Sequence, residues 1–363
     1  MDKNKLFEII NNFQIEGPIS SITPLGDGLI NDTYLAITED KNTPDYVLQH
    51  INHSIFKDID LLQNNIDIVT RHIRKKLISN NESDINRKVL QFIPSKNGKN
   101  YYIDKENNFW RVSIFIPRSC TFNSITPDYA YKAGLSFGRF EEMLVDLNEP
   151  LGEPIPDFHN MELRIKQLSE AVNKDSAGRL KEVGDELELI NKYKTEMCKA
   201  ESLYREGKLP KRICHCDTKI NNMLFDEDGS VLCVIDLDTV MPNFIFSDYG
   251  DFLRTTANNV AEDSPEFEKI KFRRDIFESF TKGYLSSTKK FLTKLEIEML
   301  PFAVALFPFM QATRFLTDYL NGDIYYKINC QNHNLIRTRN QIQFFKCILS
   351  EMEYIKNFIK NYL

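Results

Sequence analysis

His215, Asp217, Lys219 and Asn222 stand in the run Ile213-Cys-His-Cys-Asp-Thr-Lys-Ile-Asn-Asn222, spaced as H-x-D-x-K-x-x-N. Fourteen residues after Asn222, Asp236 follows the apolar stretch Val231-Leu-Cys-Val-Ile235, with Asp238 two positions on. A base, a cation and oxygen ligands for a divalent ion are what moving a phosphoryl group from ATP to a hydroxyl requires. Asp217 is the candidate base, orienting the acceptor hydroxyl and taking its proton. Lys219, on the same side of an extended loop, is the candidate partner of the γ-phosphate, and Asn222 offers an amide oxygen to Mg²⁺. Asp236 emerges from a buried strand, where an unpaired carboxylate is costly and a divalent ion removes the cost. Asp238 faces the same side and is expected to support the metal. A single Asp after a strand is usually a cap or turn residue, and His215 is expected to be structural. The conjunction of D-x-K-x-x-N, a hairpin at Asp228-Gly229 and a strand ending in D-x-D carries the reading.

The elements that position these residues follow from periodicity. Ser21–Leu25, Asn31–Ile37 and Tyr46–Ile51 read as strands around Gly26-Asp27-Gly28, a hairpin loop whose amides could lie over phosphates. Asp58–Leu77 has a helical period, and Arg87–Ile93 and Phe109–Ile116 read as further strands. Helices are expected over 128–147, 160–172, 183–206, 251–255, 267–285, 294–320 (broken at its prolines) and 337–363. These patterns predict an α+β protein of two lobes: a small β-rich nucleotide-binding lobe over 1–118, and a larger, mainly helical catalytic and substrate-binding lobe over 119–363.

Composition narrows the setting. The 363 residues carry a net charge of −6, which gives no field attracting nucleic acid or an anionic membrane. The apolar run Met299–Met310 is too short to span a bilayer and contains Pro301 and Pro308. Seven scattered cysteines form no disulfide framework, and Cys214-His-Cys216 lacks the second pair of a zinc site. With no signal-peptide pattern at the start, a cytoplasmic monomer acting on a small molecule is expected.

At His215-Cys-Asp217 with Asn222, and at Val234-Ile-Asp236, the sequence resembles the aminoglycoside phosphotransferase and choline kinase superfamily, whose fold is like a protein kinase's. Ser247-Asp248-Tyr-Gly-Asp251-Phe-Leu-Arg254 resembles the acidic turn that braces the loop in that family. Gly28–Tyr34, Val47–Asn52, Ile155–His159, Asp236–Pro242 and Arg314–Tyr325 are similar to the bacterial N-acetylhexosamine 1-kinases. That resemblance implies ATP- and Mg²⁺-dependent phosphorylation of the anomeric hydroxyl of GlcNAc or GalNAc. It also implies sugar contacts from Arg314 and Tyr325 in the second lobe and from Asn31 and Asp32 in the first. The alternative for Arg314 is an i,i+4 ion pair with Asp318, and for Asn31 and Asp32 local turn bonding. One departure stands out. The third strand, Tyr46-Val-Leu-Gln49-His50, lacks the lysine that many relatives place on the α- and β-phosphates, leaving Gln49, His50 or the amides of the Asp27 loop as candidates. Competing readings are the same fold acting on choline, homoserine, an aminoglycoside or a thiosugar, and a non-catalytic nucleotide-binding protein.

Overall fold

A computed structural model of the chain describes residues 3–26, 31–122 and 124–363. The chain forms two compact units. One comprises Met1–Thr121, Asp146–Pro156 and Met223–Met241; the other comprises Phe122–Val145, Asp157–Asn222 and Pro242–Leu363.

The first unit begins with a helix, α1 (Lys3–Ile10), that the sequence reading passed over. Strands β1 (Ile19–Pro24), β2 (Asp32–Thr38) and β3 (Tyr46–Ile51) follow, then α2 (Ile59–Ser79), capped by the Asp58 side chain on the Leu61 N–H. A single helical turn, α3 (Ile85–Lys88), precedes the strands β4 (Phe92–Ile93), β5 (Tyr102–Ile103), β6 (Phe109–Ile114) and β7 (Ser119–Cys120). The sheet order is β1-β2-β3-β6-β4 with β5 also on β6, and every pairing is antiparallel. The period of two sorts its faces. Tyr46, Leu48, Trp110 and Val112 point into a core closed by Leu6, Ile9 and Ile10 of α1 and by Phe13. Gln49 and Arg111, direct partners in the register of β3 and β6, belong to the opposite face.

The run Arg87–Ile93, expected as a strand, is mostly not one. The turn of α3 lets the buried Arg87 guanidinium reach both oxygens of Asp226 at 2.9 Å and the carbonyls of Pro117 and Arg118. Asp226 ends the first strand of the hairpin Met223–Asp226/Val231–Val234, which also pairs with β7. Asn65 of α2 donates to the carbonyls of Gly152 and Val240 at 2.9 and 3.0 Å. These bonds tie both later segments into the first unit.

The second unit is built from α4 (Pro127–Leu144), α5 (Met161–Lys174), α6 (Gly184–Met197) and α7 (Lys199–Arg205), then α8 (Phe246–Thr256) and α9 (Arg274–Thr288). It ends with α10 (Lys294–Glu298), α11 (Leu300–Leu320) and α12 (His333–Tyr362). The helix expected over 183–206 divides at Cys198. The break expected at the prolines is absent: Pro301 lies in the first turn of α11, where its missing N–H costs nothing, and the helix continues through Pro308. Apolar nearly all round, α11 is buried along its length. Among the described residues no helix is long and apolar enough to cross a membrane.

α4 and α9 meet backbone to backbone. A Cβ on Gly283 would lie 2.0 Å from the Tyr131 carbonyl oxygen, and one on Gly134 would lie 2.2 Å from that of Phe280. Gly134 and Gly138 share the face of α4 that carries Glu141 one turn later, so the close approach delivers Glu141 to Tyr284 of α9. Gly283→Ala should therefore separate the helices and destabilise the protein by at least about 1–3 kcal/mol. A shift of the denaturation midpoint read on helical circular dichroism checks it, with Gly184→Ala, whose added Cβ meets nothing, as the control.

Candidate active site

In the second unit, a short strand, Arg212–Cys214, leads into the loop of Asp217, and a 3₁₀ turn at Ile220–Asn222 closes it. Asp248, in the first turn of α8, holds this loop: its two oxygens accept the N–H groups of His215 and Cys216 at 2.8 and 2.7 Å. The Thr218 hydroxyl donates to the Asp248 carbonyl at 2.8 Å. The sequence resemblance placed an acidic turn here; the structure makes it a helix. Cys216 takes a left-handed φ of +64°. The side chain of His215, buried between Phe137 and Phe140, meets the Asp217 N–H with Nδ1 at 3.3 Å, a structural placement.

Lys219 Nζ lies 2.7 Å from one carboxylate oxygen of Asp217, and Asn222 Nδ2 donates to the other at 3.2 Å and to the Asp217 carbonyl at 2.8 Å. Burial pushes the Asp217 carboxyl up, but the Lys219 charge and hydrogen bond, with His215 and Asn222, hold it below the usual carboxylate range. It is thus ionised at neutral pH. Asn222 spends its amide nitrogen on Asp217; its oxygen is the group left to offer a cation.

In the first unit, Asp236 follows the strand Val231–Val234 with a left-handed φ of +60°. Asp238, expected beside the metal, is committed elsewhere: one oxygen pairs with the Arg111 guanidinium and the other accepts from Asn31 Nδ2 at 2.6 Å. Asn31, expected at the substrate, uses its oxygen on the Asn52 N–H at 3.0 Å. Gln49 bridges Thr33 and Arg111, accepting from Arg111 Nε at 2.9 Å. Asn31, Gln49, Arg111 and Asp238 thus form one knot in which the ion pair is almost completely buried, 3% and 4% exposed. Asp32 is exposed, 3.3 Å from His50 Nδ1. Gly26 makes a turn at φ +72°, and Asp27 and Gly28 lie outside the described residues.

Arg314 does not pair with Asp318. That carboxylate instead accepts the N–H groups of Ile324, Tyr325 and Tyr326, together with the Asn334 amide. Arg314 donates to Gln311 and sits against the rings of Phe158 and Tyr326, 5.4 and 5.7 Å from their centroids. Arg164 donates to the Phe158 carbonyl, and its buried Nε has no partner among the described residues. Burial, then the charge of Arg314, brings the Arg164 guanidinium down to about 10. Tyr325 is exposed and edge-on to Tyr326.

Residues 124–284 match the phosphotransferase enzyme family. The matched segment covers less than half of the chain. It contains Asp217, Lys219, Asn222, Asp236, Asp238 and Asp248. Similar solved structures include an amicoumacin kinase in complex with AMP-PNP and Ca²⁺, at 15% identity, covering 95% of this chain and 94% of that one with a TM-score of 0.60. An aminoglycoside phosphotransferase from Alicyclobacillus acidocaldarius is 10% identical over 98% and 96% of the two chains, with a TM-score of 0.61. Choline kinase from Streptococcus pneumoniae is 15% identical over 94% and 98%, with a TM-score of 0.51. The chain therefore has the kinase-like α+β fold of aminoglycoside and choline kinases, as read from its sequence.

Sequence reasoning missed Arg111. Its signal was present: a lone charge in Phe109-Trp-Arg-Val-Ser-Ile114, the otherwise uncharged strand that pairs with the lysine-less β3. Arg111→Met would leave Asp238 buried without its cation, at a cost of about 3–5 kcal/mol. Equilibrium unfolding should show that loss, and adding Asp238→Asn to the variant should return part of it.

Proposed function

We propose that this chain is an ATP-dependent kinase that phosphorylates the anomeric hydroxyl of an N-acetylhexosamine, giving the sugar 1-phosphate. The observation that carries the kinase reading is the ionised Asp217, held by Lys219 and Asn222 inside a phosphotransferase-family segment. In this mechanism the Asp217 carboxylate aligns the acceptor hydroxyl and accepts its proton. The acceptor oxygen bonds to the γ-phosphorus while the bridging bond to ADP breaks. Lys219 moves its charge from Asp217 toward the transferring group.

Oxygen donors suit a hard divalent ion. Asn222 and Asp236 supply oxygen, and the Arg111–Asp238 pair fixes the turn from which Asp236 projects. When bound, Mg²⁺ would neutralise the phosphate oxygens. Gln49 lies on the third strand, which lacks a lysine, and Arg111 is its partner on β6; we assign Arg111 to positioning that turn.

The acceptor is argued from charge and from the resemblance of the stretches around Asn31 and Arg314. Choline or an aminoglycoside calls for aromatic cages or carboxylates. Arg164 and Arg314, gathered on Phe158 without a carboxylate partner among the described residues, repel such cations and favour a neutral, oxygen-rich acceptor. Arg314, Tyr325 and Asp32 remain the proposed sugar contacts.

Phosphorus NMR with ATP and Mg²⁺, offering GlcNAc, GalNAc, glucose, galactose or choline separately, tests the assignment. A phosphomonoester coupled to an anomeric proton in the acetamido-sugar samples is expected; a choline-only product would overturn the acceptor. Asp217→Ala should lose at least roughly a hundredfold in kcat while nucleotide still binds. Asp236→Ala should lose activity together with the response to Mg²⁺, followed by titrating the ion at fixed ATP. Arg314→Ala should mainly raise the sugar KM, and an unchanged KM would remove it from the site.

A further inference from the structure

Behind the loop of Asp217, two carboxyl groups meet in the interior of the second unit. Asp248 is fully buried and Glu141 of α4 is 2% exposed. A carboxyl oxygen of each and Cys214 Sγ all lie within 4.8 Å of one another. Glu141 Oε2 accepts from the Tyr284 hydroxyl at 2.7 Å, while its Oε1 is buried with no hydrogen-bond partner among the described residues.

Two carboxylates this close in a dry interior do not both ionise. The hydrogen bonds decide which one keeps the charge. Asp248 receives two backbone N–H groups, which stabilise its anion, whereas Glu141 receives one neutral phenol. Burial, followed by the Asp248 charge, pushes Glu141 well above the usual carboxyl range. The other groups facing the pair supply no second cation to Glu141. Burial drives Tyr284 and Cys214 upward as neutral groups, Arg212 is engaged by Glu296, and His215 faces Asp248. A metal does not fit the third corner, because Cys214 points its thiol at the carbonyls of Asn243 and Phe244, 3.6 and 3.4 Å away.

We propose that Glu141 is a positioning residue: as the neutral acid it donates a hydrogen bond from Oε1 to Asp248, fixing the carboxylate from which the His215 and Cys216 amides, and so Asp217, are held. The orphaned Oε1 then becomes a donor, and the helix contact at Gly134 and Gly283 becomes the device that sets it in place. The catalytic consequence rests on the reading of Asp217 as the base.

The test compares the full-length protein with Glu141→Gln and Glu141→Met. Infrared difference spectra of wild type against E141Q at neutral pH should contain a protonated-carboxyl band that the variant lacks. The amide of E141Q can donate to Asp248 and accept from Tyr284, so it should retain slow hydrogen exchange at His215 and Cys216, and kcat within a few-fold. E141M should exchange those amides at least roughly tenfold faster and lose kcat by a similar factor, with the KM for ATP unchanged. Absence of the band, wild-type exchange in E141M, an E141Q variant as impaired as E141M, or stoichiometric zinc in the purified protein would each overturn the proposal. An enzyme inert toward every acceptor that still shows the band and the exchange pattern would count against the kinase reading alone.

Discussion

A fully buried carboxylate must be satisfied by hydrogen bonds, and Asp248 meets that demand with backbone N–H groups of the Asp217 loop. Taking the N–H groups of two successive residues forces the chain through a narrow turn. Cys216 accordingly adopts a left-handed conformation, which costs a residue with a Cβ about 1–3 kcal/mol. The surrounding bonds over-determine it: Thr218 returns to the Asp248 carbonyl, and the His215 ring is clamped between two phenylalanines. Asp217 is the next residue, so its direction is inherited from a buried polar anchor and not from its own side-chain contacts. Its oxygens are thereby left for Lys219 and Asn222.

The first unit solves the same problem with charge. The Arg111–Asp238 pair is almost dry, and a dry ion pair is a poor source of stability because desolvation offsets its attraction. Its effect lies in geometry. Gln49 directs the guanidinium from the neighbouring strand, and Asn31 takes the second Asp238 oxygen while holding the Asn52 amide. Three strands are thus referenced to the turn after Asp236, a residue that itself stands in the left-handed region. A hydrophobic substitute for the pair could pack as well, but it could not transmit the register of β3 and β6 to that turn.

What the sequence made legible was local. Asp217, Lys219 and Asn222 lie within six residues, and the third strand was bounded correctly because its period of two is short-range. Arg111 was invisible because its meaning lies in its partner across the sheet and in Asp238, 127 positions away. Asn31 and Asp238, 207 positions apart, each looked like a ligand on its own, because a polar residue near a motif carries no mark of which group will satisfy it. Arg87 shows the converse. Its apolar neighbours have strand propensity, yet the need of one buried guanidinium to reach Asp226 turned the segment into a helical turn. Pro308 was overread as a break, since packing on every side of α11 outweighs one lost backbone bond.

Asp217 and Glu141 show how one unit shifts two carboxyl groups in opposite directions. Glu141 is fully buried and Asp217 is partly buried, and burial alone would raise both. At Asp217 an ammonium at 2.7 Å reverses the shift. At Glu141 no cation forms an ion pair among the described residues and a second carboxylate stands opposite, so burial pushes it well above the usual carboxyl range. A neutral acid can direct its neighbour without adding a charge that would compete for Lys219 or repel the phosphates. Surroundings alone can thus set two carboxyl groups to opposite protonation states. The bonds that set the direction of Asp217 all lie within its own unit.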